Sequence, residues 1–243
     1  MTTDPIDPID PGERYARNFN TLSRADQEKL GQAHVAVIGL GGLGGGVCEF
    51  LARTGVGRLT LVDGDCFDAT NLNRQLLSRE DVLGNSKAEE AGKRVGLINS
   101  GVEVSVHHAF IREDNLADLL EGTDLVVDCL DTIHSRFLLQ DAAGSLNIPL
   151  VSGAIAGVTG QVTVIFPGDR GFELIYGRPE TSGDDPGRGI ETRTGNISFC
   201  AGFTASLQAS ETLKILLGKG EVLRNKLLIA DLWTNTVEVM DLI

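Results

Sequence analysis

The 243-residue sequence predicts an α/β fold, a doubly wound and mostly parallel sheet with N-terminal helices and a C-terminal antiparallel extension. Three observations carry this reading. The β-branched run Val35-Ala36-Val37-Ile38 breaks into Gly39-Leu40-Gly41-Gly42-Leu43-Gly44 and then into apolar helical spacing, which is strand, tight turn and helix. A second strand ends at Asp63, about 20 residues beyond the last glycine, where doubly wound nucleotide-binding folds place an acidic group on the ribose hydroxyls. Beyond it, short β-branched runs keep alternating with helix-length segments.

Taken in order, residues 1–11 repeat Asp-Pro-Ile-Asp-Pro, which removes backbone donors and repels itself, so a disordered acidic tail is expected. A polar segment with Arg14, Tyr15, Arg17 and Phe19 leads to Ser23, which caps a short helix running to Leu30 and ended by Gly31. Strand 34–38 and its helix, with Val47, Cys48, Phe50 and Leu51 at helical spacing, stop at Gly55-Val56-Gly57 before strand 58–62. Residues 65–75 are too polar for a strand and too long for a turn, and read as a functional loop. Ser86 and Glu89 form a capping box for a helix to about Asn99. Lys87 falls in its first turn, where the helix dipole favours anions. It is either a solvated surface lysine or a cation serving a phosphate site, and the misplaced charge favours the second.

Strands at 102–107 and 124–131 follow, with a short helix at 115–120 between them. Asp131 thereby falls on the same sheet edge as Gly41 and Asp63, outside the carboxyl ends of the strands where ligands of such sheets bind. Helix 135–146 and strand 149–152 complete the alternating part. Strand 161–166 precedes a long loop, about 167–196, rich in Gly, Pro and charge. Helix 198–217, ended by Gly218, and an antiparallel pair at 227–231 and 236–242 finish the chain, with Trp233 between the two strands as a packing residue.

The formal net charge of -13 and a pI near 4.7 exclude nonspecific nucleic-acid or anionic-membrane binding, which need a basic surface. No apolar run approaches the ~20 residues of a membrane helix and no signal-peptide pattern opens the chain, so a cytoplasmic protein is expected. Cys48, Cys66, Cys129 and Cys200 are dispersed, without a Cys-x-x-Cys pair, which argues against structural zinc.

Together these residues resemble the activating enzymes of ubiquitin-like proteins in their compact bacterial branch, the MoeB/ThiF/HesA family. The resemblance runs from about Glu13 to Met240. It rests on Arg14-Tyr15-x-Arg17, Gly39-x-Gly41-Gly42-x-Gly44, Asp63-x-Asp65, Asn71-Leu72-x-Arg74-Gln75, Gly84-x-x-Lys87, Asp128-Cys129-x-Asp131, Val151-Ser152-Gly153 and Gly160-Gln161-x-Thr163. It implies a single Rossmann-like adenylation domain over residues 12–243. The implied enzyme is a homodimeric adenylyltransferase using ATP and Mg2+. It would activate the C-terminal carboxylate of a ubiquitin-like or sulfur-carrier protein ending in Gly-Gly as an acyl-adenylate, with release of pyrophosphate. By the same resemblance Gly39, Gly41 and Gly42 line the nucleotide and Asp63 holds the ribose. Asn71, Arg74 and Lys87 hold the phosphates, Gln75 supports the phosphate loop, Asp131 binds magnesium, and Arg17 acts in trans on the neighbouring subunit's site.

Three departures accompany the resemblance. The two Cys-x-x-Cys pairs that many members use for zinc are absent, which implies a zinc-free variant. The long crossover loop contains no cysteine, and Cys200 falls in the following helix. Thr132 stands where many members have Asn. Two other functions fit part of the pattern: an NAD-binding oxidoreductase or sensor, which leaves Arg74, Lys87 and Asp131 unexplained, and a non-catalytic nucleotide-binding module that docks a partner.

Overall fold

The computed structural model describes residues 11–177 and 194–243. The strands are β1 (His34–Ile38), β2 (Arg58–Val62), β3 (Glu103–His107), β4 (Leu125–Asp128), β5 (Leu150–Ala156), β6 (Thr159–Ile165), β7 (Lys226–Asp231) and β8 (Thr236–Asp241). They form one sheet in the order β3-β2-β1-β4-β5-β6-β7-β8. Pairing is parallel from β3 through β5 and antiparallel from β5 through β8. The chain grows outward from β1 in one direction to β3 and then in the other from β4, so the winding reverses between β1 and β4. That reversal leaves a crevice at the carboxyl ends of the two strands.

The helices are α1 (Pro11–Arg14), α2 (Arg24–Gln32), α3 (Gly44–Thr54), α4 (Lys87–Ile98), α5 (Leu116–Leu119), α6 (Ile133–Ser145), α7 (Phe172–Tyr176) and α8 (Ser198–Leu217). Alternate side chains of a strand point to opposite faces, so β1 feeds two cores. Val35 and Val37 join Leu59, Leu61 and Val127 against Val47 and Leu51 of α3, Ala91 and Val95 of α4, and Ala205 and Leu216 of α8. Ala36 and Ile38 join Val62 and Val126 against Leu116, Leu139 and Phe172 on the other face. A strand buried on both faces reads as a continuous apolar run, and β1 does. Glu49 of α3 accepts from Arg94 of α4 at 2.8 and 2.9 Å and pairs with Arg53. Burial pushes the Glu49 carboxyl up, but the two guanidinium groups outweigh it and hold the group below its ordinary value.

Strands 34–38 and 58–62 and helix 198–217 lie where the sequence places them. Several local expectations are corrected. Gly31 does not end α2, which continues to Gln32. Its carbonyl instead lies 1.9 Å from where a Cβ on Gly57 would be, so the two backbones touch. Ser86 caps α4 through the Glu89 N–H, but the reciprocal half of a capping box is missing and Glu89 is exposed. The loop after β6 is not structureless: α7 interrupts it, because Phe172 is wholly buried against Phe137 and Tyr176. Residues 178–193 of that loop lie outside the described residues, as do residues 1–10 of the expected tail, whereas Pro11 opens α1. Trp233 is not a packing residue. It is 71% exposed in the turn between β7 and β8, whose N–H groups at 233 and 234 are taken by the Asp231 carboxylate.

Candidate active site

The glycine loop leaves β1 by a left-handed residue. Gly39 has φ +87°, and a Cβ there would sit 2.8 Å from the Cys129 carbonyl oxygen. A Cβ on Gly44 would fall 1.8 Å from the Gly39 oxygen, so the loop closes tightly onto the start of α3. The N-cap of α3 is Leu43, which has no side-chain acceptor to offer the first-turn N–H groups. Within the first turn the Gly45 N–H donates to the Gly41 carbonyl at 3.3 Å and the Gly46 N–H to the Leu43 carbonyl at 2.9 Å, so what the start of α3 offers an anion at the crevice is chiefly the positive end of the helix dipole.

Asp63, at the end of β2, latches the loop. Its carboxylate accepts from the Leu40 N–H at 2.7 Å and from the Asp65 N–H at 2.8 Å. Burial pushes this carboxyl above its ordinary value, against the pull of the Leu40 N–H and of the Lys87 charge. Lys87 is only 6% exposed. Its Nζ lies 3.0 Å from an Asp65 carboxylate oxygen, and its own N–H donates to the Asp65 carbonyl at 3.0 Å. The solvated-surface reading of Lys87 is thereby excluded: the first turn of α4 is stitched, by backbone and side chain, to the start of loop 65–75.

Within that loop a 3-10 turn (Ala69–Asn71) is capped by Asp68. The Asn71 amide is buried and turned into the loop itself, accepting from the Asp68 N–H at 3.1 Å. Arg74 donates to the Thr70 carbonyl and to the Asn73 amide, and its stem reaches to 4.0 Å of where a Cβ on Gly42 would be. Gln75 is 6% exposed and its amide nitrogen comes within 3.4 Å of the Cβ position of Gly41, while its Oε1 is buried with no hydrogen-bond partner among the described residues. Buried polar atoms are as a rule hydrogen-bonded, so this oxygen marks the glycine loop as a place that suits a polar ligand.

Asp131 stands one turn past β4 and is exposed; among the described residues its carboxylate has no hydrogen bond or ion pair. Thr132 takes over the cap of α6, accepting from the Ser135 N–H, a task an Asn would perform equally well. Arg17 is not brought to this edge. Arg14 donates to the Ile98 carbonyl, and the Tyr15 hydroxyl accepts from Asn99 and abuts Gly55. Ile98 ends α4, and Asn99 and Gly55 are the C-caps of α4 and α3, so these contacts lie at the opposite ends of the strands; Arg17, two residues beyond Tyr15, is exposed.

The four thiols do not converge. Cys48 and Cys200 are buried, Cys129 is half-buried and Cys66 is exposed. Burial pushes the Cys48 thiol up to about 12, raises Cys200 and raises Cys129 well above the ordinary range, so none of these three is a thiolate at neutral pH. Among the described residues no group of three His, Cys, Asp or Glu side chains could hold a metal on protein ligands alone. No helix among them is long and apolar enough to cross a membrane.

Four residues at or under the site had been given no role by the sequence. Asp65 was visible only as part of Asp63-x-Asp65. Ser152, Arg136 and Gln208 form a buried cluster with Asp128; Asp128 and Ser152 stand in Asp128-Cys129-x-Asp131 and Val151-Ser152-Gly153, Arg136 shows as a lone arginine within the apolar face of α6, and Gln208 has no sequence signal.

The profile of the ThiF family matches residues 15–242. The SAMP-activating enzyme E1 of Haloferax volcanii is 34% identical over 230 residues, covering 94% of this chain and 84% of that protein. The adenylyltransferase and sulfurtransferase MOCS3 of Aedes aegypti is 37% identical over 224 residues, covering 90% of this chain. The chain spans about half the length of that second relative, 50%. Among solved structures, Escherichia coli MccB superposes with a TM-score of 0.81 at 23% identity, covering 96% of this chain and 70% of MccB. That last likeness concerns the fold alone.

Proposed function

Because this chain belongs to the ThiF family, we propose that it is an adenylyltransferase that activates the terminal carboxylate of a ubiquitin-like or sulfur-carrier protein. The reading takes from MOCS3 and the SAMP-activating enzyme the activities in their names, and of the pair in the first it takes adenylyl transfer. The observation that carries it is Lys87: a buried cation at a helix N-terminus, where the dipole disfavours it, held by Asp65 beside an uncapped glycine-loop helix. The NAD-binding reading assigns no role to Arg74 and Asp131 beside Lys87, and a module that only docks a partner has no chemistry for the three to serve.

ATP fits the residues present. The glycine loop and α3 N-terminus would receive phosphates, Asp63 the ribose hydroxyls, and Lys87 and Arg74 the phosphate charge, with the unpaired Gln75 amide at the loop. Magnesium fits as well: a nucleotide-bound ion needs one or two carboxylates rather than a protein cage, and Asp131 is an exposed carboxylate at the same edge. When bound, the ion would neutralise phosphate charge. In the reaction, a carboxylate oxygen of the carrier attacks the α-phosphorus, the bond to the bridging oxygen breaks, and pyrophosphate leaves. The attacking group is already ionised at neutral pH, so the chain supplies no base. Its cations stabilise the charge that builds on the phosphoryl oxygens.

ATP–pyrophosphate exchange tests this, with carriers ending in Gly-Gly compared against copies lacking the last glycine. Exchange that needs the full terminus is expected; protection of the protein by NAD but not by ATP with magnesium would sink the reading. A homodimer with Arg17 acting in trans is part of the proposal, supported by the placing of Arg17 away from the crevice of its own protomer. Arg17→Ala and Lys87→Ala should each be nearly inactive, and subunit exchange should restore up to half of the wild-type activity per heterodimer. Heterodimers that form, as shown by two tags, yet stay inactive would remove Arg17 from the site.

A further inference from the structure

Beneath the crevice, four buried polar side chains from four elements meet at the end of β4. The Asp128 carboxylate is wholly buried. It accepts from Arg136 of α6 at 3.0 Å, from the Ser152 hydroxyl of β5 at 2.6 Å and, through its other oxygen, from the Leu130 N–H at 3.0 Å. The same Arg136 guanidinium donates to Ser152 at 3.0 Å and to the Leu130 carbonyl. Gln208 of α8 donates to the Asp128 carbonyl at 2.8 Å, and Gly153 leaves the space that its amide occupies, since a Cβ there would lie 2.4 Å from it. This accounts for the Ser152-Gly153 pair that the sequence singled out without a role.

Leu130 is thus held at its N–H by Asp128 and at its carbonyl by Arg136, one residue before Asp131. Cys129 is pinned on its other side: its N–H donates to the Ile38 carbonyl at 2.9 Å and its carbonyl abuts Gly39 of the glycine loop. The Asp131 carboxylate has no partner of its own among the described residues, so its location is set by the backbone on which it stands. A buried ion pair adds little net stability over an apolar replacement of similar volume, whereas here its hydrogen bonds hold both backbone groups of Leu130.

We propose that Arg136 is a positioning residue for the Asp131 carboxylate, using its planar fork to lock the backbone of residues 128–130 between β4 and the glycine loop. The proposal rests on the adenylyltransferase reading, in which Asp131 receives the magnesium ion. A lysine could keep the charge beside Asp128 but not the fork that reaches Asp128, Ser152 and Leu130 together.

The test uses the full chain and three variants: Arg136→Lys, the double variant Arg136→Met with Asp128→Asn, which strands no buried charge, and Ser152→Ala, which leaves the Arg136–Leu130 contact in place. ATP affinity is measured calorimetrically in EDTA and in magnesium, alongside the magnesium dependence of pyrophosphate exchange and the melting temperature. Removal of a group that orients a metal ligand weakens metal binding by roughly ten- to a hundredfold. The first two variants should therefore need at least about tenfold more magnesium for half-maximal exchange, and should lose the magnesium enhancement of ATP binding. Their affinity for ATP in EDTA should stay within about twofold of wild type, and Ser152→Ala should keep the wild-type magnesium requirement. A folded double variant with wild-type magnesium dependence would overturn the proposal, leaving the cluster a purely structural one. If Arg136 variants fail to fold, a Ser152→Ala protein whose magnesium requirement shifts as its melting temperature falls would overturn it as well. Wild-type protein that neither binds ATP nor catalyses exchange overturns the function reading instead.

Discussion

The centre of the sheet and its far edge are built on opposite terms. β1, β2 and β4 bury nearly every side chain, whereas every residue of β8 is exposed, with Val237, Val239 and Met240 at 50% or more. The candidate site grows only from the buried part. A strand packed on both faces cannot shift without disturbing two cores, so the loops at its carboxyl end inherit a fixed position. β8 pairs on one side with β7 and offers no such anchorage. Rigidity at the centre is what allows Gly39, Asp63 and Asp131, from three different strand ends, to share one crevice.

From that contrast, the largest effect should come from the centre. Leu59→Ala in β2, whose side chain is wholly buried, should cost about 2–5 kcal/mol in urea unfolding, the range for emptying such a site. A cost near zero would mean that the central strands are loosely packed. At the crevice itself, Arg74→Ala and Asp131→Ala should each lower pyrophosphate exchange by ~10²–10³ with the fold intact, since each removes one preorganised charge from the transition state. Unchanged exchange in either variant would move the chemistry away from these strand ends.

A smaller effect concerns the desolvation that the buried centre imposes on Asp63. Burial raises its folded value above the ordinary 3.8. A raised folded value means that its contribution to stability is complete below the unfolded value and is lost as pH rises through the folded one. Relative to wild type, Asp63→Asn should therefore gain stability as pH rises through the acid range just above 3.8, by at most about 1.4 kcal/mol per pH unit. Parallel slopes for the two proteins would show that the carboxyl carries no such penalty. The smallest effect belongs to the edge: Val239→Ala in β8 should change stability by no more than about 0.5 kcal/mol. A loss comparable to that of Leu59→Ala would erase the distinction between edge and centre.

Much of this molecule was written locally. The β-branched run at 34–38, the glycines behind it and the apolar spacing of 198–217 specify strand, left-handed turn and helix through short-range sterics and periodicity, and the boundaries of these elements coincide with the structure. The spacing from Gly44 to Asp63 likewise placed an acidic group at the edge of the glycine loop, because one βαβ unit has nearly constant length. Tertiary structure alone decided the rest. It paired Lys87 with Asp65, 22 residues apart, and buried both Arg136 and Asp128 under the crevice with Gln208, which is 80 residues beyond Asp128. It also kept Arg17 away from the crevice, exposed two residues beyond Tyr15, which packs on the C-caps of α3 and α4, and left Trp233 in solvent. Such contacts are made between residues distant in the chain, and a charged side chain reads as surface in sequence until a partner arrives to make its burial affordable in free energy. Periodicity records which face of an element is covered; it does not record which polar group waits on the other side.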